Sequence, residues 1–215
     1  MKWKVCGLKF TENIKDVVAL QPDFIGFIFF SDSKRFVGEN FQMPSINKKI
    51  KKVGVFVNSN LAFIINKVEK YNLDFIQLHG DESSTFCEEL KQTLSITINR
   101  KKIGIIKAFG IDINFDFNKL LIYSKLCEYF LFDTQSLNFG GTGEKFDWSL
   151  LKNYKLNVPF FISGGIGLSN IDEISTLKLY FPHLFAIDVN SKFEKEPGVK
   201  NIDELKKIPK SILEL

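Results

Sequence analysis

One pattern recurs eight times along the sequence: a short apolar run rich in β-branched and aromatic residues, followed by a segment with helical periodicity. This alternation is typical of parallel β-α-β construction, in which a helix connects each strand to the next. Eight such units predict a single-domain (β/α)8 TIM barrel of the α/β class over residues 1–215, with a doubly wound open sheet as the alternative. The eight predicted strands are Lys2 to Cys6, Phe24 to Phe29, Lys52 to Val57, Asp74 to Leu78, Ile103 to Ala108, Tyr129 to Asp133, Pro159 to Ile162 and Leu184 to Asp188.

The helical segments between these strands differ in clarity. From Asn60 to Tyr71 an apolar stripe recurs at helical spacing, and the segment from Ser83 to Leu94 opens on a residue type that commonly caps helices. The apolar residues from Asp112 to Lys125 have mixed spacing, so we expect a distorted helix or a partial loop there.

Composition and charge restrict the possible classes of protein. The 215 residues are 45% hydrophobic and 25% charged, which is ordinary for a folded protein. No apolar run approaches the ~20 residues that span a bilayer, and no signal-peptide core follows Met1, so we expect a cytoplasmic protein without membrane contact. The net charge of +4 comes from scattered lysines, which argues against nucleic-acid binding and is compatible with a small anionic substrate.

Cysteine and histidine give no sign of a metal centre. Cys6, Cys87 and Cys127 lie far apart without a Cys-x-x-Cys spacing, so we expect three free thiols. The only histidines, His79 and His183, have no partner at metal-ligand spacing, and we expect no metal site.

Polar residues at the carboxyl ends of the strands are the first candidates for a site, because a parallel barrel builds its active site there. Cys6 and Asp133 end the first and sixth predicted strands, and a thiolate across from a carboxyl group can form an acid/base pair. Each also has a purely structural interpretation, since free cysteines are usually buried and Asp133 can cap Thr134. Position alone leaves both interpretations open. Further polar residues near such ends are His79, Lys107, Ser163 and Asp188.

Two glycine-rich segments and one arginine complete the candidates. The run from Ile162 to Gly167 follows the seventh strand, where barrel phosphate sites lie, and its N–H groups can converge on a phosphate. The run from Gly140 to Phe146 lacks the ending of a nucleotide-binding loop, and we interpret it as a flexible loop that closes over substrate. Arg35, after the second strand, could hold a carboxylate through two parallel hydrogen bonds.

Taken together, these segments resemble the phosphoribosylanthranilate isomerase family along nearly the whole chain, from Lys4 to Asn201. The shared motifs are Lys4-Val5-Cys6-Gly7, Gly26-Phe27-Ile28-Phe29, Ser33-Lys34-Arg35-Phe36, Val53-Gly54-Val55-Phe56-Val57, Gln77-Leu78-His79-Gly80-Asp81, Phe132-Asp133, Gly140-Gly141-Thr142-Gly143, Ser163-Gly164-Gly165-Ile166, Asp188-Val189-Asn190-Ser191 and Glu196-Pro197-Gly198.

The resemblance implies an Amadori rearrangement of N-(5-phosphoribosyl)anthranilate, a step of tryptophan biosynthesis that needs neither metal nor redox cofactor. It implies that Asp133 protonates the furanose oxygen and that Cys6, as a thiolate, removes the proton from C2. Arg35 would hold the anthranilate carboxylate. The remaining substrate-binding residues are expected to be His79, Gly164, Gly165, Asn190 and Ser191, the last four around the phosphate. We expect a phosphorylated small molecule as the partner, and a monomer or homodimer.

The sequence differs from the family pattern at two places, and three alternative functions stay open. Ser33-Lys34-Arg35-Phe36 stands where Ser-Pro-Arg-Tyr is usual, and Ser191-Lys192-Phe193 lacks a glycine that is common in the family. A pentose-phosphate epimerase would need paired acidic residues around a metal. A lyase similar to indole-glycerol-phosphate synthase would need a lysine at an early strand end, where Cys6 stands. The third rival is a sugar-phosphate sensor without catalysis.

Overall fold

The computed structural model describes residues 1–98, 102–134 and 147–209, and its main feature is a barrel of parallel strands. The strands are β1 (Lys2–Val5), β2 (Phe24–Ile28), β3 (Lys51–Phe56), β4 (Phe75–Leu78), β5 (Gly104–Ile111), β6 (Tyr129–Thr134), β7 (Phe160–Ile162) and β8 (Leu184–Val189). They pair in chain order, and β1 also pairs with β8, which closes the barrel. The predicted (β/α)8 barrel is therefore confirmed, and the open sheet is excluded.

The strand ends that carry candidate residues differ slightly from the prediction. Cys6 lies one residue beyond β1, although its N–H still donates to the carbonyl of Val189 in β8 at 3.0 Å. β5 continues to Ile111 and β6 to Thr134, because these two residues are partners in the parallel pairing. As a result, Asp133 projects from a paired strand and not from a loop.

Helices surround the barrel at most of the predicted places. The α-helices of the described residues are α1 (Thr11–Ala19), α2 (Leu61–Tyr71), α3 (Ser84–Thr97), α4 (Ile171–Tyr180) and α5 (Ile202–Leu205). Asn60 and Ser83 cap α2 and α3 by accepting backbone N–H groups, as their residue types predict. A 3₁₀ helix, Phe117–Tyr123, occupies the segment that we expected to be distorted. No helix in the described part of the chain has the length and apolar character needed to cross a membrane.

The expectation that a helical segment follows every strand is wrong for the second unit. Residues 29–50, between β2 and β3, contain no helix. Val37 and Phe41 are buried there, and the Phe41 ring lies 5.4 Å from both the Phe27 and the Tyr71 rings. The Tyr71 hydroxyl also donates to the Phe41 carbonyl at 3.1 Å. These contacts cover β2 with apolar side chains where a helix would otherwise lie.

After β8 the chain makes a compact turn that the sequence did not reveal. A 3₁₀ helix, Ser191–Phe193, buries Phe193 completely at one of the two departures from the family pattern. An antiparallel hairpin follows, formed by β9 (Glu194–Glu196) and β10 (Val199–Lys200). The Asn13 side chain of α1 exchanges two hydrogen bonds with the backbone of Lys200 and so ties the hairpin to the barrel.

The inside of the barrel changes from apolar to polar along the strands. One apolar cluster consists of Phe24, Val53, Ile106, Ala108, Leu131, Phe161 and Ala186, with Phe75, Tyr129 and Phe185 packed against it. Side chains alternate across a strand, so the same face reappears every second residue. On β4, Phe75 is followed at this spacing by Gln77 and then by His79. The strands thus place polar side chains at their carboxyl ends above an apolar base.

Phe24 lies at the centre of the apolar cluster, where its ring makes edge contacts with four other rings at centroid distances of 5.3 to 6.5 Å. We expect Phe24→Ala to lower the free energy of unfolding by about 3–5 kcal/mol, because a cavity replaces the ring. Urea denaturation measures this change. The control Phe10→Ala removes a half-exposed ring and should change stability by only about 0.5 kcal/mol. Equal losses in both variants would contradict this assignment of the core.

Candidate active site

A pocket opens at the carboxyl ends of the strands, where active sites of such barrels lie. Its walls come from seven of the eight strands or the loops that follow them. The lining residues are Cys6, Ile28, Phe30, Ser33, Arg35, Val55, Val57, Gln77, His79, Asp133, Ser163, Gly164, Gly165, Ile166, Asp188, Asn190 and Ser191.

All eight residues that the sequence predicts for the site line this pocket. They are Cys6, Arg35, His79, Asp133, Gly164, Gly165, Asn190 and Ser191. These residues follow or end six different strands, so only the closed barrel brings them together. Their location is thereby known, while their individual roles stay predictions.

A buried ion pair lies beside Cys6 at the bottom of the pocket. Lys4 Nζ lies 2.8 Å from Asp188 Oδ2, and both side chains are almost completely buried. Lys4 and Asp188 are also partners in the pairing of β1 with β8. Cys6 follows Lys4 two residues later on the same face, and its thiol lies near the end of the Lys4 side chain, beside Gly26.

This ion pair influences the protonation of Cys6. Burial raises the pKa of the Cys6 thiol, and the Lys4 ammonium opposes that rise. Burial also disfavours the charge on Lys4, but Asp188 and Cys6 together outweigh burial and raise the pKa of Lys4. Lys4 therefore stays a cation and is the strongest influence in favour of a thiolate at Cys6.

Asp133 presents one carboxylate oxygen to the pocket beside His79. Its Oδ2 lies 3.5 Å from His79 Nε2, while Oδ1 accepts the Thr134 N–H at 2.8 Å. Gln77 Nε2 lies 2.7 Å from His79 Nδ1, so the tautomer that accepts this bond points its Nε2–H towards Asp133. The Asp133 and His79 side chains remain 17% and 29% exposed, which leaves both accessible to a ligand. Asp133 therefore makes the predicted contact with Thr134 and also reaches the pocket.

Arg35 reaches the pocket from the loop after β2, and a carboxylate holds its guanidinium group. Arg35 Nε and Nη2 donate to Glu194 Oε2 at 2.9 and 2.7 Å. Lys200 donates to Glu194 Oε1 at 2.7 Å and to Asn190 Oδ1 at 2.6 Å. A continuous set of hydrogen bonds thus joins Arg35 to Asn190 through the hairpin after β8.

The loop after β7 carries the glycines predicted to bind phosphate. Gly164 and Gly165 have φ values of +81° and +65°, in the region that favours glycine. A Cβ at Gly164 would lie only 2.8 Å from Asp133 Oδ1, so a larger residue would collide with that carboxylate. The Asn170 side chain fixes the loop by bonding to the carbonyl of Gly165 and the N–H of Gly167. Packing against Asp133 and Thr134 therefore requires glycine at position 164.

Some sequence candidates have other locations. Lys107 is not among the lining residues; it is buried beneath the loop after β4, where its ammonium donates to the Gly80 carbonyl at 2.8 Å and lies 3.2 Å from Glu82. Ile106 and Ala108 face the barrel interior, so alternation turns Lys107 away from it. The glycine run from 140 to 146 lies outside the described residues.

Cys6, Cys87 and Cys127 are free and buried, as the sequence predicts. Within residues 1–98, 102–134 and 147–209, no group of three or more His, Cys, Asp or Glu side chains could hold a metal ion.

Four residues of the site escaped the sequence analysis. Lys4 and Gln77 carried a usable signal, because each lies two residues before a candidate on the same strand face. Glu194 and Lys200 carried none, since their contacts with Arg35 and Asn190 depend on how the hairpin after β8 folds back. Local sequence does not specify such a contact.

Replacement of Lys4 by methionine removes the ammonium group beside Cys6 and keeps an unbranched side chain. We expect Lys4→Met to raise the pKa of the Cys6 thiol further and to slow its alkylation by iodoacetamide about tenfold near neutral pH. Mass spectrometry of the peptide containing Cys6 gives the rate. The control is Lys2→Met on the same strand, whose side chain is 55% exposed. The same rate in folded Lys4→Met and wild type would exclude an influence of Lys4 on the thiol.

Comparison with known proteins identifies the family. The model of the family described as N-(5'phosphoribosyl)anthranilate (PRA) isomerase matches residues 3–211. The N-(5'-phosphoribosyl)anthranilate isomerase of Parabacteroides distasonis is 42% identical over 98% of this chain and 92% of its own length. The isomerase of Caldanaerobacter subterraneus subsp. tengcongensis is 38% identical over 96% of this chain and 95% of its own.

Solved structures agree with these relatives. The phosphoribosyl anthranilate isomerase from Thermotoga maritima superposes with a TM-score of 0.78 at 28% identity and covers 100% of both chains. A second isomerase structure, a complex with reduced 1-(o-carboxyphenylamino)-1-deoxyribulose 5-phosphate, has a TM-score of 0.76 at 26% identity and the same coverage. A 3-hexulose-6-phosphate synthase, at 12% identity and a TM-score of 0.62, shares the fold alone. From the family match and the full-length relatives, this chain belongs to the N-(5'-phosphoribosyl)anthranilate isomerase family.

Proposed function

We propose that this chain converts N-(5'-phosphoribosyl)anthranilate into 1-(2-carboxyphenylamino)-1-deoxyribulose 5-phosphate by an Amadori rearrangement, as a step of tryptophan biosynthesis. The observation that carries the proposal is that Cys6, directly after β1, and Asp133, on β6, line one pocket together with Arg35. Membership of the isomerase family supports the choice of substrate. The side chains in the pocket supply a proton donor, a proton acceptor and an anchor for a carboxylate.

Asp133 acts first, as the general acid. Its protonated carboxyl group gives a proton to the furanose ring oxygen, and the bond between C1 and that oxygen breaks. The lone pair of the anthranilate nitrogen forms a C=N bond to C1, which leaves an open-chain iminium ion and an Asp133 carboxylate. His79 lies 3.5 Å from Asp133 and helps to keep that carboxyl group facing the pocket.

Cys6 acts second, as the general base. The iminium ion acidifies the C2–H bond, because the electron pair of that bond can move into the C=N bond and neutralise the nitrogen. The Cys6 thiolate takes the proton and an enolamine forms, which becomes the ketone when C1 gains a proton and the 2-hydroxyl group loses one. The substrate nitrogen is the electron sink, so this mechanism requires no metal or redox cofactor. Each proton-transfer group contributes on the order of 10²–10⁴-fold in rate.

Both ends of the substrate are anchored in this scheme. Arg35 binds the anthranilate carboxylate, and the loops at Gly164 and Gly165 and at Asn190 and Ser191 bind the ribose phosphate. Two anchors hold C2 near Cys6 and the ring oxygen near Asp133, which lowers the entropic cost of reaching the transition state.

The assembly and location of the chain are part of the proposal. We propose that it acts as one domain and as a monomer or homodimer. A solved relative, 26% identical with a TM-score of 0.73, is described as monomers generated from the dimeric isomerase of Thermotoga maritima. A cytoplasmic location stays a prediction.

The loss of substrate fluorescence tests the function. Purified protein is mixed with freshly generated N-(5'-phosphoribosyl)anthranilate in the presence of a chelator, and we expect rapid decay. Cys6→Ala and Asp133→Asn should each lower kcat by about 10²–10⁴-fold, because each removes one proton-transfer group. Circular dichroism establishes that both variants are folded.

Cys87→Ala is the matched control for Cys6→Ala. It removes a second buried thiol, which lies on α3 and is not among the residues of the pocket, so kcat should stay near the wild-type value. Absence of decay with folded wild-type protein would overturn the proposed reaction. Near-normal kcat in Cys6→Ala or Asp133→Asn would overturn the role assigned to that residue.

A further inference from the structure

Arg35 has two edges on which a carboxylate can form a pair of parallel hydrogen bonds. One edge consists of Nε and Nη2, and the other of Nη1 and Nη2. Glu194 occupies the first edge, with Arg35–Glu194 distances of 2.7 to 3.0 Å. In the described part of the chain, no residue accepts a hydrogen bond from Nη1. A second carboxylate therefore has the Nη1–Nη2 edge available.

The charge of the surrounding cluster favours such a second carboxylate. Arg35, Glu194 and Lys200 have side chains that are 12%, 4% and 0% exposed, so water screens their charges weakly. Burial acts to raise the pKa of Glu194, but Arg35 and Lys200 outweigh it and lower that pKa. Burial lowers the pKa of Lys200 to about 8, against the opposing influence of Glu194. Near neutral pH the cluster holds two cations and one anion, and an excess positive charge remains for a ligand.

The cluster is also fixed in position relative to Cys6. Gly7, the next residue, has a φ of +75°, and a Cβ there would lie 2.7 Å from Arg35 Cδ and 2.6 Å from Asn190 Oδ1. The Arg35 stem and the Asn190 amide thus lie directly on the backbone beside Cys6. Lys200 holds Asn190 from the other side with a bond of 2.6 Å. A change in the orientation of Arg35 would therefore displace a bound carboxylate relative to the thiol.

We propose that Glu194 and Lys200 are positioning residues that make the pocket selective for a carboxylate-bearing substrate. Glu194 holds Arg35 so that its Nη1–Nη2 edge meets the substrate carboxylate. Lys200 balances Glu194, so Arg35 keeps its effective positive charge. The inference rests on the proposed function, because it takes the anthranilate carboxylate as the ligand of Arg35. Glu194 acts through Arg35, and Lys200 acts through Glu194 and Asn190, so neither residue needs contact with the substrate.

Two ligands and two variants test this inference by isothermal titration calorimetry. The first ligand is reduced 1-(o-carboxyphenylamino)-1-deoxyribulose 5-phosphate, and the second is the same compound without its carboxyl group. In Lys200→Met, the charges of Arg35 and Glu194 cancel each other, so the cluster has no net charge. The double variant Glu194→Gln/Lys200→Met keeps one positive charge on Arg35 but removes the carboxylate that holds it. Lys195→Met, an exposed lysine of the same hairpin, is the control.

We expect both test variants to raise the Kd of the carboxylate ligand by about tenfold or more. The Kd of the second ligand should rise by less than about twofold. The control should leave both Kd values unchanged. Equal weakening of both ligands would indicate a purely structural role and overturn the inference, as would an unchanged Kd for the carboxylate ligand. Wild-type affinity in the double variant would overturn the positioning role of Glu194.

The design separates this inference from the function on which it rests. If wild-type protein binds neither ligand and does not turn over the substrate, the proposed function fails and the inference fails with it. If wild-type protein binds and turns over but the variants show no selectivity, only the inference fails. The double variant removes the buried Lys200–Glu194 ion pair completely, so it tests the inference even if Lys200→Met alone does not fold.

Discussion

The buried ion pair between Lys4 and Asp188 is the interaction on which the rest of the site depends. An unpaired charge in a barrel interior costs several kcal/mol, so the two side chains must meet. Their meeting joins β1 to β8, where the barrel closes, and fixes which face of β1 points inward. That face brings Cys6 into the pocket two residues later. The same pair therefore links the two strands whose pairing closes the barrel, and it places a cation beside the proposed base.

A second buried cluster extends this arrangement. Arg35, Glu194 and Lys200 lie on the side of Gly7, and Lys200, like Lys4, acts to lower the pKa of the Cys6 thiol. Cys6 thus lies between two groups of buried charges, each with a carboxylate that holds its cations in place. The first group influences the proton on the thiol, and the second is proposed to bind a carboxylate. The proposed proton transfer and the proposed carboxylate binding are coupled, because the two groups of charges lie against adjacent residues after β1, Cys6 and Gly7.

The sequence predicts the barrel well because each strand carries its own pattern, and the eight candidate site residues lie at strand ends that any closed barrel would bring together. It predicts less where tertiary contacts replace local propensity. Phe41 covers β2 through packing contacts, and no helical periodicity in the sequence predicts them. Glu194 and Lys200 reach Arg35 only because a hairpin after β8 turns back over the pocket. Lys107 shows a further difficulty. Neighbouring residues of a strand point to opposite faces, so Lys107 points away from the barrel interior while Ile106 and Ala108 point into it.

We propose that Asp133 and Cys6 carry out the two successive proton transfers of one reaction in this pocket. A crystal structure of this chain with reduced 1-(o-carboxyphenylamino)-1-deoxyribulose 5-phosphate tests it most directly. We expect C2 of the ligand to lie about 3–4 Å from Cys6 Sγ, and the oxygen derived from the furanose ring to lie within hydrogen-bonding distance of Asp133. A ligand whose C2 faces away from Cys6, or whose ring-derived oxygen does not reach Asp133, would contradict the roles proposed for these two residues.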